Sequence, residues 1–227
     1  MKAVVLLSGG LDSIVNFKCA FDEGEVQRAL TCDYGQVAFE GEVRAASGCA
    51  ERYGVMHEIV DLGFFRGLIE NPIAGKGKLK PVSQADIEAG RRSMVEDTWV
   101  PNRNAVLVAV GAAFAESLGA DAVVAGFNLE EAELYPDNSA EFVRRTNAAL
   151  EISTLSRVVV KTYTLDLNKT ETVALGIENG APLEMVYSCY EAPREGMMCG
   201  VCQSCLRLKA SFEANGVLER YAGRFAA

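Results

Sequence analysis

A serine- and glycine-rich segment near the start of the chain has the residue types and spacing of an anion-binding loop. Residues 8–13 read SGGLDS and follow directly on the apolar run AVVLL of residues 3–7, which predicts a buried strand. Adjacent glycines let a phosphate approach the main chain, and a helix beginning near Ser13 would direct its free N–H groups to the same place. Since Ser8 and Ser13 add hydroxyl donors, the segment predicts a pyrophosphate site.

The pattern SGGxDS separates this loop from commoner nucleotide-binding loops. A P-loop of the form GxxxxGK[ST] contains a lysine, which residues 8–13 lack, and GxGxxG does not match either. SGGxDS is similar to the PP-loop of the ATP pyrophosphatases, which cleave ATP between its α- and β-phosphates. There Asp12 would hold magnesium or position phosphate, whereas in an ordinary Gly-Gly turn it would only cap the following helix.

Four of the seven cysteines lie close together near the end of the chain. Cys199, Cys202 and Cys205 form a CxxCxxC pattern, and Cys189 precedes it. In a chain expected to be cytoplasmic this density indicates metal binding rather than disulfides, and four thiolates suffice for a closed, structural zinc site. An iron–sulfur cluster could use the same four ligands, and the sequence leaves that alternative open.

Charged side chains elsewhere are candidates for ligand contacts. Arg103 offers a planar fork for a phosphate or carboxylate, although its segment, with Asn102, could equally be a helix cap. Lys169 lies at a predicted helix start, where a cation is unfavourable unless an anion is near, and a bound phosphate would supply that anion. Lys161 could contact a ligand or extend into solvent. His57, the single histidine, is assigned no catalytic role.

Residues 128–138 form an acidic segment around Tyr135 and Asp137. A solvated loop is the simpler interpretation. Its expected position after a central strand makes it a candidate wall of a substrate and metal site.

The composition is that of a globular domain. The chain has 227 residues, 49% of them hydrophobic, which suffices for one large domain. A net charge of −9 argues against a protein that follows a nucleic-acid backbone. No apolar stretch approaches the roughly 20 residues of a membrane span, so we expect a cytoplasmic protein without membrane association.

Strand and helix patterns alternate along the chain, which predicts an α/β fold with a doubly wound, mostly parallel sheet. The predicted strands are 3–7, 26–33, 57–61, 122–127 and 158–165. The predicted helices cover 39–53, 102–118, 140–150 and 169–178, and two more are expected to begin near Ser13 and near Cys202. Residues 64–100 lack a clean period and are expected to form a long insertion or lid. The loops that follow the strands should meet at one crevice.

The motifs in their order resemble the 7-cyano-7-deazaguanine synthase (QueC) family over nearly the whole chain. The matching segments are SGGLDS (8–13), DYGQ (33–36), VPNRN (100–104), YPD (135–137), DLNK (166–169), SCY (188–190) and CGVCQSC (199–205). The resemblance implies an adenine nucleotide alpha hydrolase-like, Rossmann-like domain over residues 1–185. A C-terminal helical element that binds zinc would cover residues 186–227.

The resemblance also implies an activity in queuosine biosynthesis. ATP would activate 7-carboxy-7-deazaguanine as an adenylate, ammonia would give the amide, and a second adenylation would allow the nitrile 7-cyano-7-deazaguanine (preQ0) to form. The implied cofactors besides ATP are Mg²⁺ and Zn²⁺. The implied assembly is a homodimer without a nucleic-acid partner.

Roles follow for individual residues from the same resemblance. The ATP-binding set is Leu7, Ser8, Gly9, Gly10, Leu11, Asp12, Ser13 and Asp33. The catalytic set is Asp12, Ser13, Arg103 and Lys169. The substrate set is Arg103, Asn104, Tyr135, Asp137 and Lys161, and the zinc ligands are Cys189, Cys199, Cys202 and Cys205.

Departures from the family pattern keep other functions open. Many members have a cysteine where this chain has Asn138, and residues 128–133 also differ from the commoner bacterial pattern. A paralogue that adenylates another carboxylate is therefore one alternative. A tRNA-modifying PP-loop ATPase of the thiolase type is a second, and a zinc module that binds nucleic acid or protein is a third.

Overall fold

The apolar run after Met1 forms the central strand of a parallel sheet in a computed structural model that describes residues 1–81, 93–191 and 196–227. The sheet has five strands in the order β3-β2-β1-β4-β5, and all four pairings are parallel. The strands are β1 (Lys2–Leu6), β2 (Glu25–Asp33), β3 (His57–Asp61), β4 (Ala122–Val124) and β5 (Val159–Lys161). The predicted doubly wound parallel sheet is confirmed.

Helices connect the strands and cover both faces of the sheet. In the described ranges they are α1 (Leu11–Glu23), α2 (Phe39–Arg52), α3 (Ser93–Thr98), α4 (Arg103–Leu118), α5 (Leu129–Ala132), α6 (Ala140–Ser153), α7 (Lys169–Glu178), α8 (Gln203–Ala214) and α9 (Leu218–Tyr221). None of the helices in these ranges is long and apolar enough to cross a membrane.

The central strand is buried on both sides because the alternating side chains of a strand point to opposite faces. Val5 belongs to the core that also contains buried residues of α1, α2, α7 and α8. Its neighbour Val4 belongs to the second core, which contains residues of α4 and α6. A continuous apolar run, rather than an alternating one, is what such a strand requires.

The cysteine-bearing end of the chain shares the first core with the part that carries the segment 8–13. Cys205 and Phe212 of α8 lie in one buried cluster with Ile14 of α1. The division of the chain at residue 185 stays a prediction, and the structure adds that one core spans both sides of it.

Residues 64–100 are more structured than the sequence suggested, although residues 82–92 lie outside the described part. Short 3-10 turns occupy Gly63–Gly67 and Pro72–Ala74, and α3 precedes α4. Phe65 and Ile73 of these turns are buried in a third cluster around Tyr34. The lid function stays a prediction.

Several element boundaries differ from the predicted ones; the strand predicted over 122–127, for example, ends at Val124. α1 begins at Leu11, two residues before the predicted start. The strand predicted over 158–165 ends at Lys161, because the residues that follow form hydrogen bonds with the buried side chain of Asn16. Tyr163 N donates to Asn16 Oδ1 at 2.7 Å, and Asn16 Nδ2 donates to Thr164 Oγ1 at 2.7 Å.

Candidate active site

A cleft of about 220 Å³ opens at the carboxyl ends of the strands, where the sheet order reverses between β1 and β4. Such a switch point is where open α/β sheets bind ligands. The structure brings the segment 8–13, the end of β2, the end of β4 and the starts of α4 and α7 together there. Of the predicted site residues, the cleft wall contains Leu7, Ser8, Gly10, Leu11, Asp12, Ser13, Arg103, Asn104, Lys169 and Cys189.

The loop 8–13 is held in a conformation that needs its glycines. Gly9 has a φ of +81°, and a Cβ there would lie 2.7 Å from both the Ala45 Cβ and the Glu42 carbonyl oxygen. No other residue type fits this position without displacing α2. The Ser13 hydroxyl donates to Gly10 O at 3.0 Å and accepts from Ser8 Oγ at 3.2 Å.

Asp12, Lys169 and Glu131 form a charge cluster beside the loop. Lys169 Nζ donates to Asp12 Oδ2 and, at 2.8 Å, to Glu131 Oε1. The side chains of Lys169 and Asp12 are only 14% and 13% exposed. Burial raises the pKa of Asp12 above its usual value, and the Lys169 ammonium counteracts part of that rise. For Lys169, burial favours a lower pKa, but the two carboxylates raise it above its ordinary range.

The anion near the start of α7 is thus a pair of carboxylates, where the sequence suggested a phosphate. The other oxygen of Asp12, Oδ1, is buried and has no hydrogen-bond partner among the described residues. An unpaired buried carboxylate oxygen costs free energy unless a ligand satisfies it. Oxygen donors of this kind suit Mg²⁺, which is commonly held by one or two carboxylates plus substrate phosphates, so the residues present fit that ion.

Arg103 lines both the cleft and a second, smaller cavity of about 60 Å³. Its guanidinium lies over the Tyr34 ring, 5.6 Å from the centroid, and its Nε donates to Asn104 Oδ1 at 3.2 Å. Burial raises the pKa of Tyr34 to about 12. Asp137 lines the smaller cavity, and burial raises the pKa of its carboxyl as well.

Tyr135 closes the smaller cavity together with the segment before α4. Its ring stacks on Trp99 with centroids 6.2 Å apart and planes 4° from parallel. Its hydroxyl is 2.6 Å from Thr98 Oγ1. The predicted substrate residues Arg103, Asn104, Tyr135 and Asp137 therefore surround adjoining spaces.

Two residues of the predicted sets lie elsewhere. Asp33 Oδ2 accepts from Arg66 at 2.6 Å, and its Oδ1 accepts from Gly35 N at 2.9 Å, so the carboxylate is held outside both cavities. Lys161 Nζ donates to Glu23 Oε1 at 2.6 Å, at the end of α1 opposite the loop. The substrate role predicted for Lys161 stays a prediction, and in this structure the carboxylate of Glu23 binds its side chain away from the cleft.

Several residues of the cleft wall had been given no individual role by the sequence analysis. Tyr34 lies in the DYGQ motif, and Glu131 lies in the acidic segment, so both had a signal. Glu42 had none, because it is one polar residue among others in the first turn of α2. Its Oε2 accepts from Gln36 Nε2 at 2.8 Å, and burial raises the pKa of its carboxyl.

The four predicted metal ligands converge. The sulfurs of Cys189, Cys199, Cys202 and Cys205 all lie within 4.8 Å of one another, and all four residues are buried. Cys199 Sγ and Cys205 Sγ are 3.8 Å apart. A tetrahedron with Zn–S bonds of about 2.3 Å has edges of about 3.8 Å, so the donor set fits zinc. Backbone N–H groups of Cys199 and Cys202 donate to the sulfurs of Cys189 and Cys199 at 3.2 Å, which suits thiolates.

A parallel α/β sheet with an SGGLDS loop at its switch point and buried counter-charges beside it defines a nucleotide-binding protein of the PP-loop class. The family model described as "Queuosine biosynthesis protein QueC" matches residues 2–216. The chain belongs to the QueC family. It is 43% identical over 220 residues to the 7-cyano-7-deazaguanine synthase of Pelotomaculum thermopropionicum, with 96% of this chain and 99% of that protein covered. It is 44% identical over 220 residues to the synthase of the same name from Desulforudis audaxviator, with the same coverage.

Among solved structures, the NMN synthetase of Francisella tularensis is similar over 97% of this chain and 82% of that one. The sequence identity is 17%, and the TM-score is 0.48.

Proposed function

We propose that this chain converts 7-carboxy-7-deazaguanine and ammonia to 7-cyano-7-deazaguanine at the expense of ATP, acting as a ligase that forms a carbon–nitrogen bond. One observation carries the proposal. The phosphate-binding loop, the Asp12–Lys169–Glu131 cluster and Arg103 line one cleft, in a chain at least 43% identical to two 7-cyano-7-deazaguanine synthases.

The loop and its neighbours would bind the phosphates of ATP. Asp12 and Ser13 in the first turn of α1 would offer main-chain N–H groups, and the ammonium of Lys169 neutralises negative charge beside them. Asp12 would hold Mg²⁺ through its unpartnered Oδ1. Bound magnesium supplies positive charge that offsets the charge of the phosphates.

The reaction needs positioning and neutralised charge more than a protein nucleophile. A carboxylate oxygen of the substrate attacks the α-phosphorus and expels pyrophosphate, and ammonia then displaces AMP to give the amide. A second adenylation, on the amide oxygen, allows AMP to leave as the nitrile forms. Arg103, which lines both cavities, would hold the carboxylate or the α-phosphate. His57 is bound between Thr31 and Ser47, which agrees with a mechanism that uses no histidine.

The four-cysteine centre would hold zinc in a structural role. A closed site with four thiolate ligands leaves no coordination position for water or substrate. Metal analysis by mass spectrometry together with an absorption spectrum tests this, since an iron–sulfur cluster absorbs in the visible range and zinc does not. The homodimer, the cytoplasmic location and the absence of a nucleic-acid partner are also part of the proposal and rest on the family and on the net charge of −9.

The test is to incubate the purified protein with ATP, Mg²⁺, ammonium and 7-carboxy-7-deazaguanine and to follow bases and nucleotides by mass spectrometry. The nitrile should appear with two AMP and two pyrophosphate per molecule formed. Asp12→Asn should abolish turnover and keep the fold. Asp22→Asn is the matched control on the same helix, because Asp22 pairs with Lys18 on the surface.

The other results are equally informative. AMP released without nitrile would contradict 7-carboxy-7-deazaguanine as the acceptor and favour a different carboxylate substrate. Asn138, which is 3% exposed and lies in the walls of both cavities, would then be the first residue to vary. Unchanged turnover in Asp12→Asn would contradict the site itself.

A further inference from the structure

A segment from far along the chain lies against the phosphate-binding loop. Residues 187–190, which we call the strap, line the cleft. Tyr187 N donates to Gly9 O at 2.8 Å. Leu11 N donates to Ser188 Oγ at 3.3 Å, across 177 residues of sequence. The conformation of the loop therefore depends on contacts outside the SGGLDS motif.

The loop needs an acceptor from outside because of its own sequence. Gly10 is the residue that precedes α1, and it has no side chain with which to cap the helix. Ser188 Oγ satisfies the first N–H of the helix in its place. A Cβ built on Gly10 would lie 3.4 Å from Ser8 Oγ and 3.8 Å from Ser188 Oγ, so the two hydroxyls flank Gly10. One belongs to the motif, and the other is supplied by the strap.

The strap is fixed at the residues on either side of Ser188. The Tyr187 ring is buried against α2, where a Cβ on Gly41 would lie 2.3 Å from two of its ring carbons. Cys189 belongs to the four-cysteine centre, and its sulfur accepts from Cys199 N at 3.2 Å. Ser188 N itself points to Met198 Sδ at 3.4 Å. The hydroxyl of Ser188 is therefore held in place by packing on one side and by the metal ligands on the other.

We propose that Ser188 is a phosphate-contacting residue of the ATP site, delivered to the loop by the strap. A serine hydroxyl can accept one hydrogen bond and donate another. In this structure Ser188 Oγ accepts from Leu11 N, and its own proton has no acceptor among the described residues. A phosphate oxygen bound over Gly10 would take that proton. ATP as the ligand rests on the proposed function.

A consequence is that the four-cysteine centre contributes to ATP binding although it has no open coordination position. It fixes Cys189, and through Cys189 it fixes the hydroxyl of the residue before it. A structural metal would thereby set the shape of the phosphate site.

The test is isothermal titration calorimetry of the metal-loaded protein with ATP and Mg²⁺. Ser188→Ala should bind ATP about tenfold more weakly, since it loses one hydrogen bond to a charged acceptor. Its metal content should equal that of the wild type. Ser188→Thr, which keeps a hydroxyl, should retain most of the affinity. Ser156→Ala is the matched control, because Ser156 is exposed after α6 and remote from the cleft.

Inorganic pyrophosphate with Mg²⁺ is the second probe and should show the same loss for Ser188→Ala. An alanine variant with wild-type ATP affinity would overturn the proposal and leave the proposed function standing. A loss of affinity that appears only with loss of metal, or with ATP and not with pyrophosphate, would also overturn it. A wild-type protein that binds neither probe would contradict the proposed function instead.

Discussion

Replacing Lys169 by methionine should destabilise the protein strongly, because it removes the cation that a buried cluster places between two carboxylates. The side chains of Asp12 and Lys169 are 13% and 14% exposed, and that of Glu131 is 27% exposed. Removing one partner of a buried ion pair leaves an uncompensated charge and costs about 3–5 kcal/mol. We expect Lys169→Met to lose a free energy of unfolding in that range at neutral pH.

The chain offers a matched control in Lys161. It also binds a carboxylate, that of Glu23, but these side chains are 33% and 42% exposed, and the pair is screened by solvent. Exposed pairs contribute about 0–1 kcal/mol, so Lys161→Met should change stability by no more than that. Urea unfolding of wild type and both variants, without ATP and with metal content verified, measures the difference.

The pH dependence gives an independent signature. Burial already raises the pKa of Asp12, and removing the lysine takes away the charge that lowers it while the Glu131 carboxylate continues to raise it. A carboxyl whose pKa is higher in the folded than in the unfolded state stabilises the fold increasingly as pH falls through the folded-state pKa. Lys169→Met should therefore recover stability relative to the wild type on mild acidification. Equal losses in the two lysine variants, or no recovery, would refute the reasoning.

Three further predictions concern the structure around the site. Cys202→Ser should lose the metal and lower the unfolding midpoint, as measured by metal analysis and thermal unfolding, because the site would keep only three thiolates. Gly41→Ala should cost about 1–3 kcal/mol in urea unfolding, since its Cβ would overlap a buried ring, whereas Gly67→Ala meets nothing within 4 Å and should be near neutral. Burial lowers the pKa of His57, so the contribution of neutral His57 to the free energy of unfolding should be complete above its unfolded pKa of about 6.5 and should decline as pH falls below that value. Urea unfolding of His57→Gln across this pH range should lack that decline.

The sequence was sufficient for features that depend on neighbours in the chain. The continuous apolar run of β1, the glycines that follow it and the CxxCxxC spacing each reflect a local requirement, and each is found where predicted. The end of β5 is different. It is set by Asn16, which accepts from Tyr163 N across 147 residues, and no pattern near residue 163 announces that contact.

The candidate site likewise contains residues that the sequence could identify and residues that only the fold brings together. The loop 8–13 and Lys169 were recognisable from their positions at the ends of predicted strands and helices. Lys161 was not, since its partner Glu23 is 138 residues away and only the fold decides that they meet. The contact between Ser188 and Leu11 could not be predicted for the same reason. Each sequence motif contains only one of the two residues that meet.

We propose that a chain with net charge −9 binds a polyphosphate through Lys169, whose ammonium is oriented by two carboxylates. Its ammonium has three N–H donors, and Asp12 and Glu131 accept two of them. The third can donate to a phosphate oxygen without either ion pair being broken, so the carboxylates orient the lysine rather than compete for it. The cluster alone has a net charge of −1, which disfavours an incoming anion. We propose that a cation arriving with the phosphates offsets that imbalance and binds the unpartnered Asp12 Oδ1. ATP should therefore bind as its magnesium complex and only weakly without the metal, and calorimetry with and without Mg²⁺ measures the difference.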